Sequence, residues 1–194
     1  MSTKEIFAKR ISEILIQQKA ITRDIGRGME EAFGRSSEDE FDNFILQEGF
    51  VDREQLLNAL TVYYNIPFVD VTGRFFDREL LRNFPKDFLV RNGIIPMEED
   101  ENLLVVIAAE PERDGLESAI RTFSPLDVAY RVGIRRDIID AVQEYYDKAV
   151  TEVQEDQDLN EEHREQNQAT LEIMEEKDGE IEFPDDMSEE DDIR

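Results

Sequence analysis

The spacing of apolar residues in the first third of the chain is typical of amphipathic helices. Apolar side chains recur at three- and four-residue steps over residues 4–19, again after Ser37, and over residues 53–64. A polar stretch with several glycines lies between the first two segments, from Thr22 to Gly34. The pattern therefore predicts a helical N-terminal part.

Polar residues and glycine indicate where these helices begin and end. Ser37 and Glu40 have the spacing of a capping box, which predicts that Ser37 begins the second helix. Gly49 is expected to end that helix, because glycine adopts the left-handed conformation without steric cost. Asp52 is expected to cap the third helix.

Shorter segments follow from residue 66 onward. In order, the predicted elements are an extended piece at 66–71, short helices at 77–81 and 85–91, strands at 94–97 and 103–108 around a polar loop, a helix from Asp114 to about 123, a strand at 127–132 and a closing helix at 134–149.

This order of elements predicts an α+β fold. We expect a helical subdomain at residues 1–65, packed beside a small, mostly antiparallel three-stranded sheet with helices on one face at residues 66–150. Residues 151–194 lose the apolar periodicity and are rich in acidic residues, so we expect a disordered acidic tail there.

Charge and hydropathy limit the classes of partner. The net charge is −26, of which −16 falls in residues 151–194 and −10 in residues 1–150. A body of this sign repels phosphate backbones, which argues against nucleic-acid binding. The longest apolar run, Leu103 to Ala109, is far shorter than a membrane span, and the N-terminus has no signal-peptide core. We expect a cytoplasmic protein without direct membrane insertion.

The sequence offers few groups for catalysis or metal binding. It has no cysteine, and its one histidine, His163, lies in the acidic tail. The acidic pairs of the tail lack the spacing of a calcium-binding loop. No Gly-x-x-x-x-Gly-Lys-(Ser/Thr) loop occurs. We therefore expect no enzyme activity, no cofactor and no metal site.

A degenerate repeat with an offset of 30 residues relates the first two predicted helices. Residues 10–21 align with residues 40–51 and place Ile11 on Phe41, Ile14 on Phe44, Leu15 on Ile45, Ile16 on Leu46, and Ile21 on Val51. Any two amphipathic helices can be aligned in this way, so an alignment by periodicity alone remains the alternative.

Six segments, taken in order, carry a resemblance to a known family. They are the helix pair at 45–60, Ile66-Pro67-Phe68-Val69-Asp70-Val71, Phe84-Pro85-Lys86-Asp87-Phe88, Ile95-Pro96-Met97, the strand from Leu103 to Pro111, and the helix from Ile138 to Tyr146. Over about residues 8–148 the chain resembles the N-terminal domain of type II secretion and type IV pilus assembly ATPases (GspE N-terminal-like, MshEN-type). The resemblance implies a domain that docks a motor ATPase to partner proteins.

One branch of that family binds cyclic di-GMP through two copies of a motif. By this resemblance the ligand-binding residues are Arg10, Leu15, Gly49, Leu56 and Leu60. An arginine can stack on guanine, and glycine lets a backbone approach a ligand closely. Other positions differ from the family motif. Ser12, Lys19 and Asp42 stand where the motif has glycine, Glu40 stands where the second copy has arginine, and Tyr63 stands where it has glutamine. Acids at positions 40 and 42 oppose a diphosphate, which favours a purely structural role for the repeat.

Two groups of residues are candidates for binding a protein partner. Arg131, Arg135 and Arg136 form a basic cluster, which either pairs with Asp137 and Asp140 or docks an acidic partner or the tail. Ile173 and Phe183 are apolar residues in the acidic tail, which either fold on a partner as a short motif or belong to a solubilising segment.

Two functions follow as hypotheses. The first is a non-catalytic docking or regulatory module of a secretion or type IV pilus system, which binds a platform protein or a separate motor ATPase. The alternative is a cyclic di-GMP sensor that uses the repeat.

Overall fold

The computed structural model describes residues 3–38 and 40–148 of the 194-residue chain. Its helices are α1 (Thr3–Gln17), α2 (Arg23–Phe33), α3 (Phe41–Gln47), α4 (Arg53–Tyr64), α5 (Arg78–Arg82), α6 (Lys86–Asn92), α7 (Leu116–Ile120) and α8 (described over residues 135–148). Its strands are β1 (Ile94–Asp100), β2 (Leu103–Ala108) and β3 (Asp127–Val132). Residues 1–147 form one compact unit. The predictions for the acidic tail, including Ile173 and Phe183, lie outside the described residues.

Several helix ends match the predictions from sequence. Asp52 caps α4 by accepting a hydrogen bond from the Gln55 backbone N–H at 2.8 Å, and the Gln55 side chain accepts from the Asp52 N–H at 3.0 Å. Gly49 follows α3 with a φ of 69°, as expected for a left-handed helix end. Asp77 caps α5 through its side chain.

Two predicted caps are wrong. α3 begins at Phe41 after Glu40, whose side chain makes no capping hydrogen bond, so Ser37 is too far from the first turn to cap it. α7 begins after Gly115, which has a φ of 77°, and this left-handed residue separates Asp114 from the helix. In both cases the helix begins later in the chain than its capping signal predicts.

α2 is a helix that the sequence analysis did not predict, because the segment was interpreted as a polar stretch with glycines. The Thr22 hydroxyl caps it by accepting a hydrogen bond from the Ile25 N–H at 3.3 Å. Its buried residues are Gly26 and Met29, and a Cβ on Gly26 would lie 2.9 Å from the Ile16 side chain. Met29 is buried in the first hydrophobic cluster, and Ala32 and Phe33 pack against it, so α2 does carry an apolar stripe at helical spacing. Its glycines and charged residues caused this stripe to be interpreted as a polar stretch.

The turns that follow α1 and α3 have matching backbones at the 30-residue offset. Ala20 N–H donates to the Leu15 carbonyl at 2.9 Å, and Phe50 N–H donates to the Ile45 carbonyl at 3.0 Å. Lys19 has a φ of 61°, close to the value at the equivalent Gly49. The repeat therefore extends beyond apolar periodicity to the turn between the two helices of each pair.

The α+β fold class is confirmed, but the sheet is mixed rather than mostly antiparallel. β1 and β2 form an antiparallel hairpin with a register shift between Pro96 and Glu98. β2 and β3 are parallel, with Leu103 opposite Asp127 and Ala108 opposite Val132. The reason is the connection through α7, which returns the chain to the starting end of β2 before β3 begins. β2 is buried from Leu104 to Ala108, so both of its faces are covered.

Two hydrophobic clusters stabilise the compact unit. The first consists of side chains from α1 to α4 together with Val132 and Ile134, which follow much later in the chain. The second lies around the sheet, α5, α6, α7 and α8. Tyr146 of α8 shares its hydroxyl proton between the Leu81 carbonyl at 3.1 Å and the Phe84 carbonyl at 2.5 Å, which attaches α8 to the end of α5. In the described part of the chain, no helix has the length and apolarity needed to cross a bilayer.

Candidate functional site

The predicted ligand-binding residues are divided between the surface and the core. Arg10 lies on the exposed side of α1, with its side chain 63% exposed, and pairs with Glu13 at 3.1 Å. Gly49 is at the exposed turn after α3. Leu15 and Leu56 are completely buried in the first hydrophobic cluster, and Leu60 is 2% exposed. A ligand that touched Leu15 or Leu56 would have to displace core side chains.

The three predicted partner-binding arginines have different environments. Arg131 of β3 donates to the adjacent Tyr130 carbonyl at 3.0 Å. Arg136 is exposed and pairs with Asp140 at 3.4 Å. Pairing within the helix is one of the two interpretations of the basic cluster that the sequence allowed. Asp137 pairs instead with Arg53 of α4, which connects α4 to α8. Arg135 lines a cleft, and its side chain is 19% exposed.

This cleft has a volume of about 420 Å³ and lies where α1, α3 and α4 meet the segment after β2 and the start of α8. We call it the junction cleft. Its apolar lining residues are Phe7, Phe41, Leu60, Tyr63, Tyr64 and Ala109. Its acidic lining residues are Glu40, Asp42, Glu110 and Glu112, and its basic ones are Lys4, Arg113 and Arg135. Of the predicted site residues, Leu60 and Arg135 are therefore the two that line it.

Arg135 joins three separate segments across the junction cleft. Its Nε atom lies 2.7 Å from Glu40 Oε1 at the start of α3, and its Nη1 atom lies 3.6 Å from Glu110 Oε1 after β2. Its Nη2 atom donates to the Arg91 carbonyl near the end of α6 at 3.3 Å. The arginine thus connects the N-terminal helices to the sheet-containing part of the unit.

Burial disfavours the charged forms of Glu40 and Asp42. The pKa of Glu40 is raised by burial and by Asp42, and Arg135 opposes this effect. The pKa of Asp42 is raised by burial, against the backbone N–H groups of Asn43, Asp42 and Arg135, which favour its carboxylate. Arg135 is the first residue of α8, so the Asp42 carboxyl lies near the N-termini of both α3 and α8, where helix dipoles favour a negative charge.

The junction cleft is suited to recognition by charge and shape. Burial, followed by the nearby Glu110, raises the pKa of the Tyr64 hydroxyl, which therefore stays neutral at physiological pH. Tyr63 makes edge-to-face contacts with Phe7 at 5.1 Å and with Tyr64 at 4.7 Å between ring centroids. Within residues 3–38 and 40–148, no group of three or more acidic or histidine side chains is placed to hold a metal ion.

Sequence reasoning did not find most of the junction cleft. Glu40 and Asp42 were considered only as departures from a ligand motif, and Arg135 only as part of a basic cluster. Nothing in the sequence links Glu40 to Arg135, because 95 residues separate them. One local signal for the cleft was available, the adjacent pair Tyr63-Tyr64 at the end of an amphipathic helix. A helix cannot bury two successive large rings on one face, so one of the two rings is expected to line a surface or a cleft.

Comparisons with known proteins agree with the predicted resemblance. Residues 64–152 match the family model of the MshEN domain, which confirms over this range the resemblance to the N-terminal domain of secretion and pilus ATPases. A structure of MshE with cdg (cyclic di-GMP) superposes with a TM-score of 0.56 at 15% identity, covering 71% of this chain and 99% of that one, and so shows a shared fold. The N-terminal domain of XpsE gives a TM-score of 0.49 at 20% identity, covering 74% and 96%. No match was found among curated proteins.

Proposed function

Taking residues 64–152 as an MshEN domain, we propose that this chain is a non-catalytic docking or regulatory module of a type II secretion or type IV pilus machine. It binds a platform protein or a motor ATPase in the cytoplasm. The family match carries this proposal, because the matched domain is the N-terminal module of such ATPases.

The distribution of side chains supports a binding role. Two ion pairs, Arg53 with Asp137 and Arg135 with Glu40, connect segments that are distant in the chain. These pairs stiffen the unit without activating a nucleophile. We propose that the exposed Arg136 and the tail residues Ile173 and Phe183 contribute to partner contacts.

The test is a binding measurement with the full chain immobilised and the platform protein and motor ATPase of the same organism as analytes. We expect saturable binding to one of them. The double substitution Ile173→Ala and Phe183→Ala is expected to weaken binding if the tail contributes, while Leu159→Ala in the same tail serves as a matched control. Absence of binding to both analytes refutes the docking function.

Cyclic di-GMP sensing is the second candidate function. The observation in its favour is that the turn geometry of the repeat is preserved at Lys19 and Gly49, in a fold shared with the MshE structure. Glu40 and Asp42 weaken it, because both are acidic and Glu40 is already paired with Arg135.

Calorimetric titration of the full chain with cyclic di-GMP tests this candidate. Sensing requires saturable binding that Arg10→Ala abolishes. Arg27→Ala is the matched control, since Arg27 is also an exposed helical arginine in an ion pair three residues away, with Asp24 at 3.2 Å. No heat of binding at micromolar ligand rules the sensor out, and equal loss in both variants indicates a general effect of charge.

A further inference from the structure

The junction cleft has the dimensions of a pocket for a single group. Its volume of about 420 Å³ is near the lower end of the range typical of ligand pockets. Phe7, Phe41, Tyr63 and Tyr64 give it aromatic walls. A recess of this kind accepts one side chain or a small organic group, and it is too small for a helix or a strand of a partner.

Most of the charges that line the junction cleft are already engaged. Arg135 pairs with Glu40 and Glu110. Lys4 also takes part in an interaction with another residue. Asp42 lies near the N-termini of α3 and α8, whose backbone N–H groups favour its carboxylate. In contrast, Glu112 and its neighbour Arg113 are exposed, and neither forms an ion pair with another of the described residues.

The lining of the junction cleft has four acidic side chains against three basic ones. After burial, the carboxylates of Glu110, Asp42 and Glu112 contribute to the raised pKa of Tyr64. Around Glu40 the effect of Asp42 is larger than the opposing effect of Arg135. Burial, the largest cause of both raised pKa values, disfavours a charge of either sign, so it is the contribution of the neighbouring carboxylates that favours a cation.

We propose that the junction cleft receives the arginine or lysine side chain of a basic protein partner, with the cation held between the aromatic walls and the carboxylate of Glu112. This inference rests on the docking function proposed above. Aromatic faces attract cations, and an unpaired carboxylate beside them adds a charge-assisted hydrogen bond. The net charge of −26 increases the rate at which a basic partner approaches.

The probe for this proposal is a tetra-arginine peptide, with a tetra-citrulline peptide as its neutral counterpart. Both are titrated into the full chain, and backbone NMR signals are followed residue by residue, since the acidic tail also attracts the arginine peptide. We expect saturable shifts at Tyr63, Glu110 and Glu112 with tetra-arginine and none there with tetra-citrulline. Shifts confined to residues 151–194 overturn the proposal.

Two substitutions with equal charge change locate the site. Glu112→Gln is expected to weaken the affinity read from the cleft signals about two- to fivefold, the range for an exposed ion pair. Glu99→Gln, on the exposed part of β1, changes the net charge equally and leaves those signals unaffected. Tyr63→Leu keeps an apolar wall but removes the ring, and it is expected to weaken binding by a similar factor. Equal effects of Glu112→Gln and Glu99→Gln overturn the proposal.

The same variants separate this proposal from the docking function. If a platform protein or motor ATPase binds wild type, Glu112→Gln and Tyr63→Leu equally well, the docking function stands and the cleft proposal fails. If the peptide binds at the cleft but neither protein binds, the docking function fails and the cation site stands. Shifts at the cleft signals with cyclic di-GMP but not with tetra-arginine overturn the cation proposal.

Discussion

Substituting Gly49 by alanine isolates the cost of a left-handed backbone. Gly49 has a φ of 69°, and a Cβ built there meets no atom within 4 Å, so sterics with other residues do not contribute. An L-residue in this conformation costs about 1–2 kcal/mol, and alanine recovers about 0.4–1 kcal/mol through the lower entropy of the unfolded chain. The expected net loss in the free energy of unfolding is about 0.5–1 kcal/mol.

Gly28 provides the matched control for the same substitution. It is an exposed glycine inside α2, and a Cβ there also meets no atom within 4 Å. Alanine in a helix interior is more favourable than glycine by about 1 kcal/mol. Gly28→Ala should therefore stabilise the chain, and Gly49→Ala should destabilise it, although both add one methyl group in open space.

Urea unfolding followed by circular dichroism measures both values from the midpoint and slope. The two variants should differ by roughly 1.5–2 kcal/mol, and their melting temperatures should lie on opposite sides of the wild-type value. The reciprocal change, Lys19→Gly, should stabilise by up to about 1 kcal/mol, because Lys19 has a left-handed φ of 61°. The reasoning is refuted if Gly49→Ala is as stable as wild type or if both alanine variants shift in the same direction.

Three further predictions concern side-chain interactions. Tyr146→Phe should cost about 1–2 kcal/mol by removing the hydroxyl donor of the Phe84 carbonyl, while the Leu81 carbonyl still accepts from the Phe84 N–H at 3.0 Å. Tyr145→Phe, which removes one hydrogen bond to a backbone carbonyl at a more exposed site, should cost less in the same urea assay. Arg135→Met should destabilise by about 1–3 kcal/mol, and this loss should shrink in a Glu40→Gln background, which a double-mutant cycle measures; additive losses would contradict the pairing. The pKa of Asp42 is raised, so the folded chain binds the proton of this carboxyl more tightly than the unfolded chain does. The stabilisation from the protonated Asp42 is therefore lost as the pH rises from about 3.8 through the pKa of the folded state. Asp42→Asn should make this loss of stability with pH shallower, and an unchanged pH profile would contradict the prediction.

The sequence predicted those elements whose signals are local. The bounds of α4 follow from the Asp52 cap and its apolar stripe, and β3 follows from alternation over residues 127–132. The left-handed Gly49 was expected from its place after an apolar stripe. Each of these depends on side chains within a few residues of each other, which is the range that periodicity and capping describe.

The remaining features depend on contacts between distant residues. α2 carries an apolar stripe of Met29, Ala32 and Phe33, but its two glycines obscured it, and the burial of Gly26 against α1 is a contact that no local pattern specifies. The parallel pairing of β2 and β3 depends on where α7 returns the chain, which no local pattern specifies. The junction cleft is formed by α1, α3, α4 and the segments around residues 110 and 135, and only the folded chain brings their side chains together.

The completion of the first hydrophobic cluster by Val132 and Ile134 has a consequence for synthesis on the ribosome. α1 to α4 leave the exit tunnel well before these two residues are translated. Until then, the apolar surface of the helices that Val132 and Ile134 later cover remains exposed to water. During that interval the emerging chain is a candidate for chaperone binding, and a slow codon placed before position 132 would prolong it.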